Sequence, residues 1–518
     1  MPEYLSPGVY FKTVDRGITP VEPLSTSTLG ILGESERGPV CPRAVGSFIE
    51  YKDLYGEYGP YGDIRDFRGN IFLPIAVEGF FANGGTRCYI ARIVKADSLY
   101  AQLNILFGNA QVTVKAIGPG TWGNRISVKI ENARLHQLDY DLFKLTVAYW
   151  KYPLPDKNEL NDAIITRKAT VVEVYDDLAM VNFENYINGV SRLIEILKPV
   201  AVTRRPANSP FTYLLGGKDG NQGQPIRLDD YIGLVGPDRA HDTGLRAFEN
   251  IEDIALVCAP NEHDFDKEKN NLTAALIDHC EKKQDRFAIL QAEPEAGNID
   301  NITPPMDSKY AAFYFPWLRV KSPYAEATIV VPPCGHIAGV YARSDTQHGV
   351  HKAPANEVLE GASAAQLLLS TSDQDKLNPR GVNCIRVFPG RGIRIWGART
   401  ISMDPIWKYV NVRRLFLFVK KSIMSGMQWV IFEPNDEKLW ERITQIVNRF
   451  LTDIWKNGGL QGSSPEEAFF IRCDKTTMTP DDIDHGRIVC IIGIAPVKPA
   501  EFLSFRFVQW QGGVDASD

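Results

Sequence analysis

Three short segments carry, in workable order, the residue types of an acyl-transfer centre: Asp242-Thr-Gly244, His348-Gly-Val-His351 and Gly361-Ala-Ser-Ala-Ala365. A serine hydroxyl attacks a carbonyl only when a histidine takes its proton and a carboxylate holds that histidine in the right tautomer. Asp242, His348 and Ser363 would supply those groups. Ser363 follows His348 by 15 residues and His351 by only 12, too few for a strand and a helix to separate base from nucleophile. The triad is therefore read as inert, and no residue is assigned as catalytic.

Other chemistry-bearing spacings fail for similar reasons. Gly118-Pro-Gly-Thr-Trp-Gly123 has the glycine spacing of a dinucleotide loop, but Asn124-Arg-Ile-Ser-Val-Lys-Ile130 after it alternates like a strand. No helix start aims amides at a pyrophosphate there, so a β-turn is expected. Gly216-Gly-Lys-Asp-Gly220 lacks the spacing of a phosphate-binding loop, which leaves Lys218 a loop cation. His348 and His351 stand three apart, yet Gly349 and Pro354 argue for a loop rather than a metal-binding helix face. The cysteines at 41, 88, 258, 280, 334, 384, 473 and 490 include no CxxC. They are read as small buried hydrophobes of a chain made in a reducing cytoplasm. The expectation is no cofactor, no metal and no enzyme, with a serine peptidase as the disfavoured alternative.

Composition narrows the class further. A chain of 518 residues exceeds one hydrophobic core, and 44% hydrophobic with 23% charged residues is ordinary for globular domains. A net charge of −6 gives no electrostatic reason to bind nucleic acid. Met1-Pro-Glu-Tyr-Leu-Ser-Pro7 has neither the basic start nor the apolar run of a signal peptide, so synthesis in the cytoplasm without a cleaved signal is expected. Ile488 to Val497 is too short to cross a membrane and is expected to be a buried strand.

The elements that would position these residues alternate along the chain. Thr28 to Gly33, Asn70 to Ala82 and Cys88 to Val94 read as strand, helix, strand. Ala110 to Ile117 and Arg125 to Ile130 alternate as strands of a β-rich region. Ile254 to Ala259 and Phe287 to Leu290 are buried strands flanking a helix over Lys267 to Lys283. Near the end, Asn435 to Lys456 has a strong helical repeat, with Asn435 as its cap and Gly458-Gly459 as its stop. In the helix Asn411 to Met427, Arg413, Arg414, Lys420 and Lys421 gather opposite the apolar face with no acid among them. That stripe is either a solvated face or a contact for an acidic partner.

Both chain ends are aromatic and alternating. Leu5 to Val14 includes Val9, Tyr10 and Phe11; Pro499 to Trp510 includes Phe502, Phe505, Phe507 and Trp510. Such ends either close their own sheet or add a strand to a neighbour's.

Ser6-Pro-Gly-Val-Tyr10, Gly38-Pro-Val40 with Phe48 and Tyr55-Gly56, and Gly84-Gly-Thr-Arg-Cys-Tyr-Ile-Ala-Arg92 resemble the opening of contractile tail sheath proteins. So do Pro119-Gly-Thr-Trp-Gly-Asn124, Leu215-Gly-Gly-Lys-Asp-Gly220, the run from Asn378-Pro-Arg-Gly-Val-Asn383 through Trp407-Lys-Tyr-Val-Asn-Val-Arg-Arg414, and the Phe-rich tail. These proteins sheathe contractile phages, R-type bacteriocins and related extracellular injection systems. The resemblance is weakest between about 130 and 210.

It implies a multidomain α/β and α+β chain: an arm over 1–24, a subtilisin-like but non-catalytic central α/β domain over 25–96 and 226–366, and an inserted β-rich outer domain over 97–225. An inner α+β domain over 367–500 and an arm over 501–518 complete it. The implied function is mechanical: copies stack as a metastable extended sheath around an inner tube and contract to drive the tube through an envelope. Partners would be further copies, the inner tube, baseplate and terminal cap proteins and sheath paralogues, with no nucleic acid and no membrane insertion. The protein would be part of a virion or a phage tail-like particle. The arms, with Val9, Tyr10, Phe11, Phe502, Phe505, Phe507 and Trp510, would link subunits, and Arg413, Arg414, Lys420 and Lys421 would face the tube.

Overall fold

The computed structural model describes residues 21–58, 72–135, 141–151, 169–198, 202, 204–220, 226–236, 242–265, 271–294, 299–323, 326–502 and 504. Its centre is a nine-stranded sheet. The strands are β1 (Leu29–Gly33), β2 (Arg43–Val45), β3 (Cys88–Arg92), β4 (Leu256–Cys258), β5 (Phe287–Gln291), β6 (Ala311–Phe315), β7 (Glu357–Val358), β8 (Val382–Phe388) and β9 (Gly392–Trp396), in the order β7-β9-β8-β6-β5-β4-β1-β3-β2.

From β8 to β3 all neighbours are parallel, and β9, β7 and β2 join antiparallel at the edges. The inner strands Leu-Gly-Ile-Leu-Gly, Phe-Ala-Ile-Leu-Gln and Ala-Ala-Phe-Tyr-Phe are buried throughout. Continuous apolar runs are what a parallel strand covered on both faces requires. Next to the edge strand β7, β9 instead alternates buried residues with exposed or half-buried ones. The sheet takes in 382–396, past position 366.

Helices cover the sheet: α1 (Phe48–Tyr55), α2 (Phe72–Ala82), α3 (Leu272–Lys283) and α4 (Cys334–His348). Helix α3 starts at an Asn271 cap that accepts from the Ala274 amide at 3.0 Å. Helices α2 and α4 touch backbone to backbone. A methyl on Gly335 would lie 2.2 Å from the Ala76 carbonyl oxygen and one on Gly339 2.3 Å from that of Phe80, so only glycine permits the contact.

Between β3 and β4 the chain builds two antiparallel sheets around a second core. One orders Ser209–Tyr213, Ile126–Asn132, Phe143–Tyr149 and Val171–Leu178; the other orders Gln102–Phe107, Ala110–Ala116 and Ile194–Leu197. Gly118 to Gly123 leads through a short 3-10 turn, Thr121–Arg125, straight into the strand Ile126–Asn132. The turn expected there is present, and no helix follows it.

A third core gathers on α5 (Val410–Gly426) and α6 (Glu437–Lys456) with the hairpin β10 (Phe469–Arg472) and β11 (Ile491–Ile494). In α6, Leu439, Trp440, Ile443, Ile446, Val447, Phe450 and Leu451 are buried, as the periodicity requires. Its cap is Asp436, which accepts from the Leu439 amide at 2.9 Å, and Asn435 instead accepts from the Trp440 indole at 2.8 Å. Ile488 to Val497 is not a buried strand: Ile491–Ile494 pairs with β10, Pro496 bridges to Leu460, and the residues of the segment are exposed or half-buried.

Candidate assembly site

Helix α5 holds the segments from which both chain ends depart. At its C-terminal half, Ser422 Oγ accepts from the Leu24 amide at 3.3 Å. A methyl on Gly426 would lie 2.8 Å from Val21 Cγ2, so the glycine lets the incoming chain lie flat on the helix. At the N-terminal end, the Asn411 amide donates to the Val497 carbonyl at 3.0 Å and to that of His351 at 2.7 Å.

Just beyond, Glu501 accepts a two-pronged bond from Arg399, 2.8 Å from Nε and 2.6 Å from an outer nitrogen, and a third from the Tyr409 hydroxyl at 3.2 Å. Lys408 Nζ is 3.7 Å away. Burial pushes the Glu501 carboxyl up, but Arg399, Lys408 and Tyr409 together hold it below the usual glutamate range.

The middle of α5 is locked to α4 and to the N-terminal root by one buried cluster. Arg414 donates to both oxygens of Asp345, at 2.9 and 2.5 Å, and to the Thr26 carbonyl at 2.9 Å. The Thr26 hydroxyl donates to Asp345 at 2.6 Å. The guanidinium lies 4.7 Å from the Tyr341 ring centre, and Tyr341 shares a hydroxyl hydrogen bond with Tyr314. Burial pulls the Arg414 pKa down, but the Asp345 charge outweighs it and keeps the pKa above the usual arginine value.

The exposed cationic stripe expected on this helix is therefore corrected for its arginines. Arg413 and Arg414 are 7% and 3% exposed, so neither can reach a second protein. Arg413 sits 4.1 Å from the Tyr310 ring centre and 4.8 Å from that of Trp407; burial lowers its pKa. Lys421 donates to the Ile254 carbonyl at 3.1 Å, and burial lowers its pKa too. Lys420 is exposed and reaches the Gln284 carbonyl at 3.3 Å.

The arm residues Val9, Tyr10, Phe11, Phe505, Phe507 and Trp510 lie outside the described residues. Phe502 is described and is 80% exposed, immediately after the Glu501 anchor.

The serine centre does not assemble. Asp242 is buried and accepts from the Gly236 amide and the Asn250 side chain, both on its own side of the chain. Ser363 Oγ donates to the Arg319 carbonyl at 3.0 Å. His348 is exposed, and it is the last residue of α4 rather than part of a loop; Gly349, with φ +90°, ends the helix before His351. Among the described residues no group of three or more His, Cys, Asp or Glu could hold a metal ion. No helix among them is long and apolar enough to cross a membrane.

Sequence reasoning missed the anchors Thr26, Asp345, Arg399, Asn411, Ser422 and Glu501. Asn411 lies in the segment Trp407–Arg414 and Glu501 in the C-terminal alternating segment, but neither pattern shows what the side chain binds.

Residues 236–401 match the model of the phage tail sheath protein central domain, and 402–509 match that of the phage tail sheath C-terminal domain. A tail sheath protein of Vibrio phage KVP40 is 26% identical over 224 residues, covering 42% of this chain and 32% of the relative. A prophage major tail sheath protein of Pseudomonas aeruginosa is 23% identical over 197 residues, covering 37% and 49%. The match thus spans between 29% and 49% of the length of the curated relatives.

Among solved structures, the contracted helical sheath of the anti-feeding prophage aligns over 97% of this chain and 99% of its own, with TM-score 0.59 and 23% identity. The contracted sheath of the PVC extracellular contractile injection system aligns over 99% of each chain, with TM-score 0.57 and 22% identity. A mixed α/β multidomain fold, two contiguous sheath-domain matches and full-length alignment to sheath subunits establish that the chain belongs to the contractile tail sheath protein family.

Proposed function

We propose that this chain is the structural subunit of a contractile sheath. Copies polymerise around an inner tube in an extended metastable state and contract to drive the tube through a target envelope. The observation that carries this reading is the pairing of two anchored arm roots on α5 with an unfinished sheet beside them. Among the described residues β10 and β11 form a two-stranded sheet, with Phe470 51% and Ile491 48% exposed. A lone two-stranded hairpin is marginally stable in water, and strands added along the stretches left unpaired among the described residues, beyond the Leu460–Pro496 bridge, would complete it by backbone hydrogen bonding. The terminal segments carrying Val9, Tyr10, Phe11, Phe502, Phe505, Phe507 and Trp510 are the strands proposed to do so in neighbouring copies.

The baseplate and sheath assemblies of the anti-feeding prophage and the PVC system support further copies and a baseplate as partners, within a virion or tail-like particle. The inner tube, a terminal cap and sheath paralogues complete the proposed set. The parallel central sheet supports a subtilisin-like fold that works as a scaffold, since Ser363 and Asp242 are bonded elsewhere. Of the stripe, Lys420 alone keeps an exposed charge for a tube contact. No observation favours a peptidase.

Removing Glu501 to Asp518 tests the reading. The truncated chain should stay folded and fail to polymerise; normal-length sheaths in electron micrographs of that truncation would refute it.

A further inference from the structure

Cys473 and Cys490 each stand one residue outside the β10–β11 ladder, whose register decides how they meet. Phe469 pairs with Ile494 and Arg472 with Ile491. One further step sets Cys473 opposite Cys490. The Ala495 amide donates to the Ala468 carbonyl at 2.8 Å, which makes 468–495 a hydrogen-bonded pair. Pair types alternate along an antiparallel ladder, so 473–490 is a non-hydrogen-bonded position. There Cα atoms are about 4.5 Å apart, inside the roughly 4.4–6.8 Å range a disulfide spans. Both side chains also point to one face of the hairpin.

Their surroundings differ usefully. Cys473 is buried but borders a groove of about 500 Å³ between α6 and the loop Asp474–Thr476, and Cys490 is half-exposed. The two thiols lie close enough to perturb each other's ionisation. The neighbouring Cys473 thiol holds that of Cys490 below its ordinary pKa, so Cys490 is the first to ionise. A second close pair, Cys258 and Cys334, is sealed in the central core with both residues fully buried.

We propose that Cys473 and Cys490 form a dithiol–disulfide site that locks the register of the β10–β11 hairpin when the protein meets a low-molecular-weight disulfide. The Cys490 thiolate attacks one sulfur of the oxidant, whose S–S bond breaks and releases one small thiol. Cys473 then loses its proton, attacks the Cys490 sulfur and releases the second. Two protein thiols give up two hydrogens, and one small disulfide becomes two thiols. The bond closes the segment 474–489, which carries the helix Pro480–Asp484, and so holds β11 on β10. The site does not depend on what adds to the hairpin edge.

The test uses the full-length, unassembled chain and oxidised glutathione as the probe. After exposure, free thiols are alkylated under denaturing conditions and the digest is mapped by mass spectrometry. The expected result is a Cys473–Cys490 peptide lacking two hydrogens and restored by dithiothreitol, with Cys258 and Cys334 alkylated. Amide exchange in β10 and β11 should slow severalfold on oxidation. Cys473→Ala should leave a glutathione adduct stranded on Cys490, and Cys490→Ala should abolish the reaction. Recovery of both residues alkylated, or a persisting adduct on Cys490 of the unsubstituted chain, would overturn the proposal. The unsubstituted chain alone separates these outcomes, so misfolding of a variant cannot obscure them.

Discussion

Asp345→Asn keeps the size of the side chain and removes the charge that holds Arg414. The pair is buried, at 5% and 3% side-chain exposure, and Arg414 cannot escape by losing its proton. Stripping one partner from such a pair costs about 3–5 kcal/mol, because the remaining charge is left without compensation. The lower end applies here. The asparagine oxygen can still accept one bond, and the Tyr341 ring at 4.7 Å still faces the guanidinium. Thr26 Oγ1 and Arg414 would compete for that oxygen, where Asp345 now serves both.

A chain with three cores need not unfold in one step, so the cost is best read locally by amide hydrogen exchange over α4, α5 and residues 21–28. A loss of about 3 kcal/mol speeds opening there by about a hundredfold. Arg414→Met added to Asp345→Asn should recover most of that loss, since no charge is then stranded. Less than about fivefold acceleration in the single variant would refute the claim that this cluster ties the N-terminal root, α4 and α5 together.

Burial pushes the His336 pKa down to about 4. The unfolded chain takes up a proton below about 6.5, so stability present above that pH drains away by about 1.4 kcal/mol per pH unit down to about 4; His336→Gln should flatten the slope, and an unchanged acid profile would count against it. Glu501→Gln breaks the fork to Arg399, worth about 1.5–3 kcal/mol as a charge-assisted bond, and should speed limited proteolysis after Val497; identical cleavage rates would contradict the anchoring role. Gly335→Ala forces a methyl to 2.2 Å from the Ala76 oxygen and should destabilise the central core by about 1–3 kcal/mol; an unshifted melting temperature would show that α2 and α4 separate freely.

What was legible in the sequence was what a single element dictates. The repeat of α6 is written within twenty residues, and buried parallel strands announce themselves as apolar runs. The cap of α6 was displaced by one residue because Asn435 and Asp436 can both cap, and the Trp440 indole claims the asparagine. The fate of Arg413 and Arg414 was not legible at all. A helical wheel shows which residues share a face but not what covers it, and Asp345 lies 69 positions from Arg414 and 319 from Thr26. The same holds for Ile488 to Val497, an apolar run that reads as interior. Among the described residues it is instead one strand of a two-stranded sheet, with a further bridge from Pro496 to Leu460, and only topology reveals how little covers it.

The placement of the two roots on one helix has a mechanical meaning under the sheath reading. Asn411 and Ser422 to Gly426 are 11 to 15 residues apart, which along an α-helix is about 17–22 Å. That spacing is rigid, because the helix cannot lengthen without breaking its own hydrogen bonds. Helix α5 is itself fixed to the central sheet's layer by Asp345 and by the Ile254 carbonyl under Lys421. A pull on either arm is therefore delivered to the whole subunit rather than absorbed by bending at the root. Under the proposed function, the anchored segments would then move with the subunit when copies rotate and rise against one another. A sheath built this way would change its lattice while each subunit moved as a body, with the buried Arg414 cluster tying α4, α5 and the N-terminal root together.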